Sequence, residues 1–150
     1  MTIDEPFRTR LSNVLRNQRI AVLGVSKNDD PYSCLVSFVA TEDLRHVIFA
    51  TMRARKKYRY MQANPRVSLM IDNREHKPTD YTNTTSITIV GVAQEAEGKD
   101  RSNYVGLLVK KHPALTDFVE SKDSAIMEVK VQDMYVVDNF ESVSKISFSE

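Results

Sequence analysis

Short runs of hydrophobic residues, separated by turn residues, dominate the pattern of this chain. The clearest alternation follows Ile126, where Met127, Val129 and Val131 point to one side and the polar residues between them point to the other. Earlier runs are rich in β-branched and aromatic residues and are bounded by turn residues. The pattern predicts strands at residues 20–25, 32–39, 46–51, 66–71, 86–94 and from 126 onward.

Other stretches have the spacing of helices. Phe7, Leu11, Val14 and Leu15 predict an amphipathic N-terminal helix, which the capping-box sequence at residues 2–5 would begin. The remaining helical segments are expected at residues 55–63, 100–111 and 115–119.

Turn residues set the limits of these elements. Asn64 and Pro65 end the helix at 55–63, while Asp100 is expected to cap the next helix and Pro113 to stop it. Residues 27–31 predict a hairpin turn. Residues 73–83 predict a polar loop, long enough to suspect a functional or interface role, and Gly91 indicates close packing or a bulge.

Six short antiparallel strands with helices at the gaps favour a closed or nearly closed barrel, because closure removes exposed edges. With 150 residues and 41% hydrophobic residues, the chain is predicted to form a single domain over residues 1–150. No apolar run approaches the ~20 residues that span a bilayer. The single cysteine excludes an internal disulfide and no signal peptide is evident, so we expect a cytoplasmic protein that binds no membrane.

The strongest functional signal lies where the third strand ends at Ala50 and Thr51. A cluster of cations follows and leads directly into a short helix. Helix N-termini bind anions through free N–H groups and the positive end of the dipole. Lys56 and Lys57 would add mobile charges and Thr51 a hydroxyl donor, which predicts a phosphate site.

Two other interpretations of this basic segment stay open. The cations of residues 53–59, with Tyr58 and Tyr60, have the composition of a nucleic-acid patch. A plain solvated helix face is the other interpretation and the preferred one of the two, since runs of charge are usually solvated. A net charge of +1 argues against bulk attraction to nucleic acid, and Tyr58 shares a helical stripe with Ala54 and Met61, so we expect no nucleic-acid partner.

Cysteine and histidine residues offer little chemistry. Cys34 is predicted to act as a small buried hydrophobe, with no cation near enough to lower its pKa. His46, His76 and His112 lie far apart in the sequence, without Cys, Asp or Glu at ligand spacing. We therefore expect neither thiol chemistry nor a metal site.

Several segments keep a common register along nearly the whole chain. They are Pro31, CLVSFV at 34–39, FAT at 49–51, RKK at 55–57, ANPR at 63–66 and IVG at 89–91. Together they resemble the FMN-binding split barrels related to pyridoxamine 5′-phosphate oxidase. The most specific part is the unit of strand, threonine, basic helix, Asn-Pro-Arg and strand.

This resemblance implies a fold and a cofactor. The fold would be a six-stranded antiparallel split barrel with peripheral helices, forming a homodimer with two FMN molecules in clefts between the subunits. Lys56 and Lys57 match the Arg-Lys pair that holds the FMN phosphate. Ala50 and Thr51 match the Tyr-Thr step beside it.

Further residues are implied around the flavin ring. Ser86 falls where the oxidase has a flavin-contacting glutamine. Arg74, at the start of the polar loop, would reach across the dimer to the flavin or to an anionic substrate, or would be a loop arginine without such a role. The strand along the ring supplies the contacts Cys34, Leu35, Val36 and Ser37.

Departures from the oxidase bear on the reaction. The arginine and lysine that begin and end its second strand, the lysine helping to hold the vitamin phosphate, are replaced here by Cys34 and Val39, and the chain has no tryptophan. The resemblance thus implies an FMN-dependent oxidoreductase for an unidentified small molecule other than pyridoxamine phosphate. A non-enzymatic flavin or electron-transfer carrier and a haem-binding or haem-degrading relative are the alternatives.

Overall fold

The computed structural model describes residues 4–148, which form strands with helices at their periphery. The helices are α1 (Glu5–Asn17), α2 (Lys56–Ala63), α3 (Asp80–Asn83), α4 (Gly98–Lys111) and α5 (Thr116–Glu120). The strands are β1 (Ile20–Lys27), β2 (Asp30–Ala40), β3 (His46–Met52), β4 (Arg66–Asp72), β5 (Thr85–Glu95), β6 (Ser124–Asp138) and β7 (Ser142–Ser147).

The first six strands form a closed antiparallel barrel. Their order is β3-β2-β1-β4-β5-β6, and pairing between β3 and β6 closes the ring. Strand β7 lies outside the barrel and pairs with the C-terminal part of β6. The six-stranded barrel predicted from the sequence is thereby confirmed, with β7 as an addition.

Alternating side chains of the strands fill the barrel. Leu23, Phe38, Leu69, Ile89 and Met134 belong to this main core. A second, smaller cluster lies outside the wall, between β3, β6 and the helices α4 and α5. Each long strand buries one face because its inward positions recur with a period of two.

The predicted amphipathic helix is α1. Asp4 caps it by accepting a hydrogen bond from the Phe7 N–H at 3.0 Å. Leu11, Val14 and Leu15 are buried, as their spacing predicts. Thr2 of the expected capping box lies outside the described residues.

Several sequence expectations need correction. Helix α4 begins at Gly98, with φ of 58°, so Asp100 lies in its first turn and is not the N-cap. The loop expected at 73–83 contains the short helix α3, whose polar sequence gave no helical pattern. Strand β7 was not predicted, because only Ile146 of its six residues is buried and the strand has no amphipathic signal.

A bulge explains why the alternation in β6 changes phase. The buried positions are Met127, Val129 and Val131 at first, but Met134 and Val136 afterwards. The pairing with β5 shifts register beside Gly91, which the sequence singled out for close packing or a bulge.

Both tight hairpins use left-handed backbone. Asn28 and Asp29 connect β1 to β2 with φ of 50° and 64°. Asn139, Phe140 and Glu141 connect β6 to β7, and the first two have φ of 56° and 65°. The two-residue turn at Asn28 and Asp29 matches the twist of the strands it joins.

Candidate functional site

The barrel wall opens between β2 and β3. These strands pair only over residues 38–40, whereas residues 30–37 of β2 pair with β1 on the other side. The Phe38 N–H donates to the Arg19 carbonyl at 3.3 Å, so the alternate residues Leu35 and Ser37 direct their backbone groups away from β1. The edge of β2 thus presents a row of donors and acceptors at the opening.

Helix α2 follows β3 and closes the end of the barrel. It packs against β1 and β3, and Met61 enters the main core. Its N-cap, Arg55, makes no side-chain capping bond, and the first turn holds no acidic residue. The first N–H groups and the positive dipole end are therefore free to meet an anion.

Lys57 lies close enough to Cys34 of β2 to act on its thiol. Burial raises the pKa of Cys34, and the Lys57 charge opposes that rise. The expectation that no cation approaches Cys34 was wrong, because the start of α2 folds back towards β2. Burial still has the larger effect, so the thiol stays protonated at neutral pH.

Lys56 has different surroundings. Its Nζ lies 4.5 Å from the ring centre of Tyr32 and 5.3 Å from that of Tyr60. The Tyr60 hydroxyl donates to Asp30 at 2.6 Å, which holds this ring beside the β1–β2 hairpin. Lys56 is thus engaged by two aromatic faces, while Lys57 forms no ion pair with a carboxylate of residues 4–148.

Ala50 and Thr51 are both buried at the end of β3. Ala50 belongs to the outer cluster under α4 and α5. The Thr51 hydroxyl donates to the Met52 carbonyl in a long hydrogen bond of 3.4 Å. This weak internal bond leaves the hydroxyl without a strong partner at the start of the basic turn.

Other residues of the basic segment have structural partners. Arg53 and Tyr58 both bond to Glu95, each at 2.6 Å, and Arg59 donates to the Ala54 carbonyl at 2.8 Å. Although burial opposes it, these bonds from Tyr58 and Arg53 lower the pKa of Glu95. The packed position expected for Tyr58 is confirmed.

Ser86 and Arg74 line a second feature, a cleft of about 580 Å³ between the 73–84 segment and the β6–β7 turn. Strands β1 and β4 lie between β2 and β5, so about 14 Å of sheet separates Ser86 from the opening at β2, although Met70 and Asp72 of β4 also line the cleft. The predicted site residues therefore form two groups that lie apart in a single chain. One group, at the opening, consists of residues 34–37, Ala50, Thr51, Lys56 and Lys57, and the other, at the cleft, consists of Arg74 and Ser86.

The sheet surface between the two groups is apolar. Leu35, Val22 and Met70 are direct neighbours across three strands, and the Leu35 side chain is 65% exposed. Ile20 and Val143 add exposed aliphatic side chains on the same outer surface. Exposed patches of this kind mark contact surfaces.

Sequence reasoning missed the aromatic and hydroxyl residues around both groups. Tyr32 and Asp30 approach α2 only through the hairpin, and Thr84 and Phe140 line the cleft. Tyr81, an isolated aromatic residue in a polar loop, was the one available signal.

Histidines, cysteine and acidic residues form no group of three that could hold a metal ion within residues 4–148. His112 bonds to the Phe38 carbonyl at 2.8 Å in the interior, and His46 lies 3.9 Å from Glu128. Among the helices described, none is both long and apolar enough to cross a bilayer.

Solved structures share this fold at low sequence identity. A haem binding protein from Mycobacterium smegmatis aligns with TM-score 0.83 and 13% identity, over 97% of this chain and 60% of its own. ChuZ from Campylobacter jejuni aligns with TM-score 0.81 and 12% identity, over 98% and 61%. This chain thus spans about three fifths of either protein.

A FAD-binding protein from Mesorhizobium loti is similar in length as well as fold, with TM-score 0.68 and 20% identity over 91% of this chain and 90% of its own. No curated protein sequence matches the chain. The family model described as pyridoxamine 5′-phosphate oxidase matches residues 7–138, which include the whole barrel and both groups of candidate residues. With its split six-stranded barrel, the chain belongs to the pyridoxamine 5′-phosphate oxidase family.

Proposed function

We propose that this chain binds FMN as a cytoplasmic homodimer and is a flavin-dependent oxidoreductase for a small molecule other than pyridoxamine phosphate. The observation that carries the proposal is the meeting of Lys57, the uncapped start of α2 and the free edge of β2 at one opening of the barrel. FMN joins a phosphate to a flat ring with polar edges, and these groups offer a partner to each part.

Different residues would contact different parts of FMN. Lys57 and the first N–H groups of α2 would hold the phosphate, with Lys56 and the Thr51 hydroxyl close by. A lysine suits this contact because phosphate accepts a point charge from any direction. The backbone of residues 34–37 would orient the ring, and bound FMN would supply hydride or electron transfer.

A dimer would join the two separate groups of candidate residues. In a two-fold symmetric interface the same surface of both copies forms the contact, and wherever residue i of one copy contacts residue j of the other, j also contacts i. The apolar surface around Leu35 and Met70 lies between the two groups and supports such a contact. The opening at β2 of one copy would then face Ser86 and Arg74 of the other.

The test is FMN binding by variants of the basic turn. We expect Lys57→Ala, alone or with Lys56→Ala, to weaken FMN binding by an order of magnitude or more, since a charge-assisted contact contributes ~1.5–3 kcal/mol. Lys57→Ala should have the larger effect, because Lys56 is held by aromatic rings. The flavin absorbance that remains after saturation with FMN and desalting gives the number of FMN molecules bound per chain. Titration with FMN gives the affinity.

The control replaces two exposed lysines elsewhere, Lys99→Ala with Lys122→Ala, and should leave FMN affinity unchanged. Equal FMN affinity in wild type and in the Lys56, Lys57 double variant would contradict the phosphate anchor. Steady oxidation of NADH or NADPH by the FMN-loaded protein would support the proposed oxidoreductase. Tightly bound FMN without turnover across a panel of electron donors would support a non-enzymatic flavin carrier.

Haem binding is the second candidate. Its support is His76, an exposed residue that lines the 580 Å³ cleft, together with the haem binding protein among the structural neighbours. Histidine is a common haem ligand. A Soret band that appears on titration with haem and is lost in His76→Ala would favour this candidate over FMN.

A further inference from the structure

A second cleft lies between α1, α4 and the turn that joins β2 to β3. We call it the helix cleft, and its volume is about 840 Å³, which is within the usual range of small-molecule sites. None of the residues assigned above to FMN lines it. Binding in the helix cleft would therefore be separate from binding of the flavin.

The turn between β2 and β3 forms a fixed wall of the helix cleft. The Thr41 hydroxyl donates to the Asp43 carboxylate at 2.7 Å and accepts the His46 N–H at 3.1 Å. The Arg45 N–H donates to the same Asp43 carboxylate at 3.0 Å. The hydrogen bond from Thr41 lowers the pKa of Asp43, although burial opposes it. This wall thus keeps its shape without a ligand, and its Asp43 carboxylate is already paired.

Aliphatic side chains line the body of the helix cleft. Leu15 and Leu44 are buried, Val39 and Ala40 are partly buried, and Leu107 of α4 is 39% exposed. Among the described residues, no aromatic side chain lines the cleft. Removal of the exposed aliphatic surface from water is favourable. An alkyl chain is the complementary occupant of these walls.

Two cations connect the walls of the helix cleft. Lys111 of α4 donates from Nζ to the Leu15 carbonyl of α1 at 3.0 Å. Arg8 of α1 donates from a terminal amino group to the Glu42 carbonyl in the turn, also at 3.0 Å. Both contacts end at neutral carbonyl groups, and neither cation pairs with a carboxylate of residues 4–148. Both charges therefore lack an anionic partner.

Positive charge exceeds negative charge along the helix cleft. Arg16 and Lys110 also line it, and neither forms an ion pair within the described part of the chain. The carboxylates that line it are Glu42 and Asp43, of which Asp43 is already paired in the turn. Clefts lined by one sign of charge attract ligands of the opposite sign. The helix cleft is thus suited to an anion.

Lys111 carries a charge that its surroundings stabilise poorly. Its Nζ lies 4.0 Å from the ring centre of Phe38, and the Leu15 carbonyl accepts one of its three N–H donors. Burial, more than the nearby Arg19 charge, lowers the pKa of Lys111 to about 8. The amine is still protonated at pH 7, but burial disfavours its charge. A carboxylate beside Nζ would stabilise that charge.

We propose that the helix cleft binds a free medium-chain aliphatic carboxylate. The alkyl chain would lie against Leu15, Val39 and Leu107, and the carboxylate would accept from Lys111. Arg16 and Lys110 would add positive charge around it. The aliphatic walls select the chain, and the unpaired cations select the charge at its end.

The test is an NMR titration of nitrogen-15-labelled wild-type protein with octanoate, octanol and butyrate. We expect octanoate to bind saturably and to shift amide signals mainly in residues 39–44 and 107–111. Octanol lacks the charge and butyrate lacks most of the chain, so each should bind at least about tenfold more weakly. Saturation with FMN should leave the octanoate affinity unchanged, because no FMN candidate residue lines the helix cleft.

Two variants test the assigned contacts. Lys111→Met keeps an unbranched aliphatic side chain without the charge, so it should weaken octanoate at least about tenfold and leave octanol unchanged. Leu107→Asn should weaken octanoate and octanol alike, by about threefold or more. The control Lys99→Met removes an exposed lysine from the first turn of α4 and should change neither affinity. Circular dichroism melts of each variant confirm folding.

Four results would overturn the inference. Octanoate would cause no saturable shifts at millimolar concentration, or the shifts would lie outside the helix cleft. Octanol would bind as tightly as octanoate, or Lys111→Met would bind octanoate as wild type and Lys99→Met do. FMN titration of the same samples keeps this inference apart from the proposed function, since either binding activity can fail while the other persists.

Discussion

Thr84 and Thr85 are adjacent buried threonines whose hydroxyl groups differ sharply. The Thr84 hydroxyl has no partner among the described residues, whereas the Thr85 hydroxyl donates to Asp138 at 2.8 Å. Asp138 also pairs with Arg10 at 2.5 Å, so Thr85 belongs to a charged network that ties α1 to β6. The Thr85 hydroxyl is part of the hydrogen bonding of the fold, whereas the Thr84 hydroxyl is buried without a partner among the described residues.

This contrast predicts opposite effects on stability. Thr84→Val should leave the free energy of unfolding within about 0.5 kcal/mol of wild type or raise it, because an unpaired buried hydroxyl is removed. Thr85→Val should lower it by about 1–2 kcal/mol through the lost bond to a carboxylate. Urea denaturation measures both. Equal losses in the two variants would contradict the assignment.

Glycine at position 91 meets a close backbone contact. A Cβ there would lie 2.3 Å from the Lys130 carbonyl oxygen and 2.9 Å from a methyl carbon of Val129. At Gly24 the nearest atom would be the Ser68 hydroxyl, 2.6 Å away, which can rotate aside. Only at Gly91 must the backbone itself move.

Alanine substitutions should therefore differ. Gly91→Ala is expected to lower the free energy of unfolding by about 2–3 kcal/mol or more, since overpacking against backbone is hard to relieve. Gly24→Ala should cost about 1 kcal/mol or less. Denaturation midpoints of the two variants give the comparison, and a tolerated Gly91→Ala would mean that the bulge is not rigid.

The last turn of helix α4 contacts α1 and β2. Lys111 donates to the Leu15 carbonyl of α1 at 3.0 Å, and its Nζ lies 4.0 Å from the ring centre of Phe38 in β2. Burial, together with the nearby Arg19 charge, lowers the pKa of Lys111 to about 8. The ammonium is thus less favoured in the folded protein than in the unfolded chain.

The sign of the pH effect follows from this shift. Between pH 8 and about 10.4, the ordinary lysine value, the unfolded chain binds more protons, so stability should rise with pH in that window. Because Lys111 is half exposed, we expect a rise of about 1 kcal/mol at most. Lys111→Met removes this component, and Lys110→Met is the control. Parallel stability curves for wild type and Lys111→Met from pH 7 to 10 would contradict the prediction.

At the level of elements, most barrel strands could be predicted because they bury one face with a period of two, while β3, buried on both faces, could be predicted from its continuous hydrophobic run. The alternation in β6 changes phase at the bulge beside Gly91, so its C-terminal half, with Met134 and Val136 buried, no longer continued the expected pattern. Strand β7 is exposed except at Ile146 and is defined only by pairing with β6. Pairing between segments that are distant along the chain produces no hydrophobic pattern that could be recognised within either segment.

The same reasoning applies to the site. Thr51, Lys56 and Lys57 follow one another in the sequence, so the basic turn could be recognised there. Thr84, Arg74 and Phe140 meet in the cleft only after β4, β5 and β6 have paired. The sequence could not reveal the unpaired Thr84 hydroxyl or the contact between the Tyr81 and Phe140 rings, because the segments that form this cleft are distant along the chain.

For the whole molecule, the apolar outer surface predicts self-association. Leu35→Glu should convert a dimer of twice the 17.1 kDa chain mass into a monomer, because a charge would be buried against Met70 or its neighbours in the second copy. Leu107→Glu alters an equally large exposed residue on α4 and should leave the dimer intact. Sedimentation velocity measures both, and a monomeric wild type at micromolar concentration would contradict the dimer.

Phe140 has a backbone conformation that is unfavourable for a bulky residue. Its φ of 65° lies in a backbone region that a bulky residue occupies at a cost of about 1 kcal/mol or more, and its ring is too exposed to recover that cost in the core. A glycine or asparagine at this turn position would give a more stable hairpin. The turn between β6 and β7 is therefore less stable than it could be, and the Phe140 ring that causes this lies at the surface, 6.0 Å between ring centres from Tyr81.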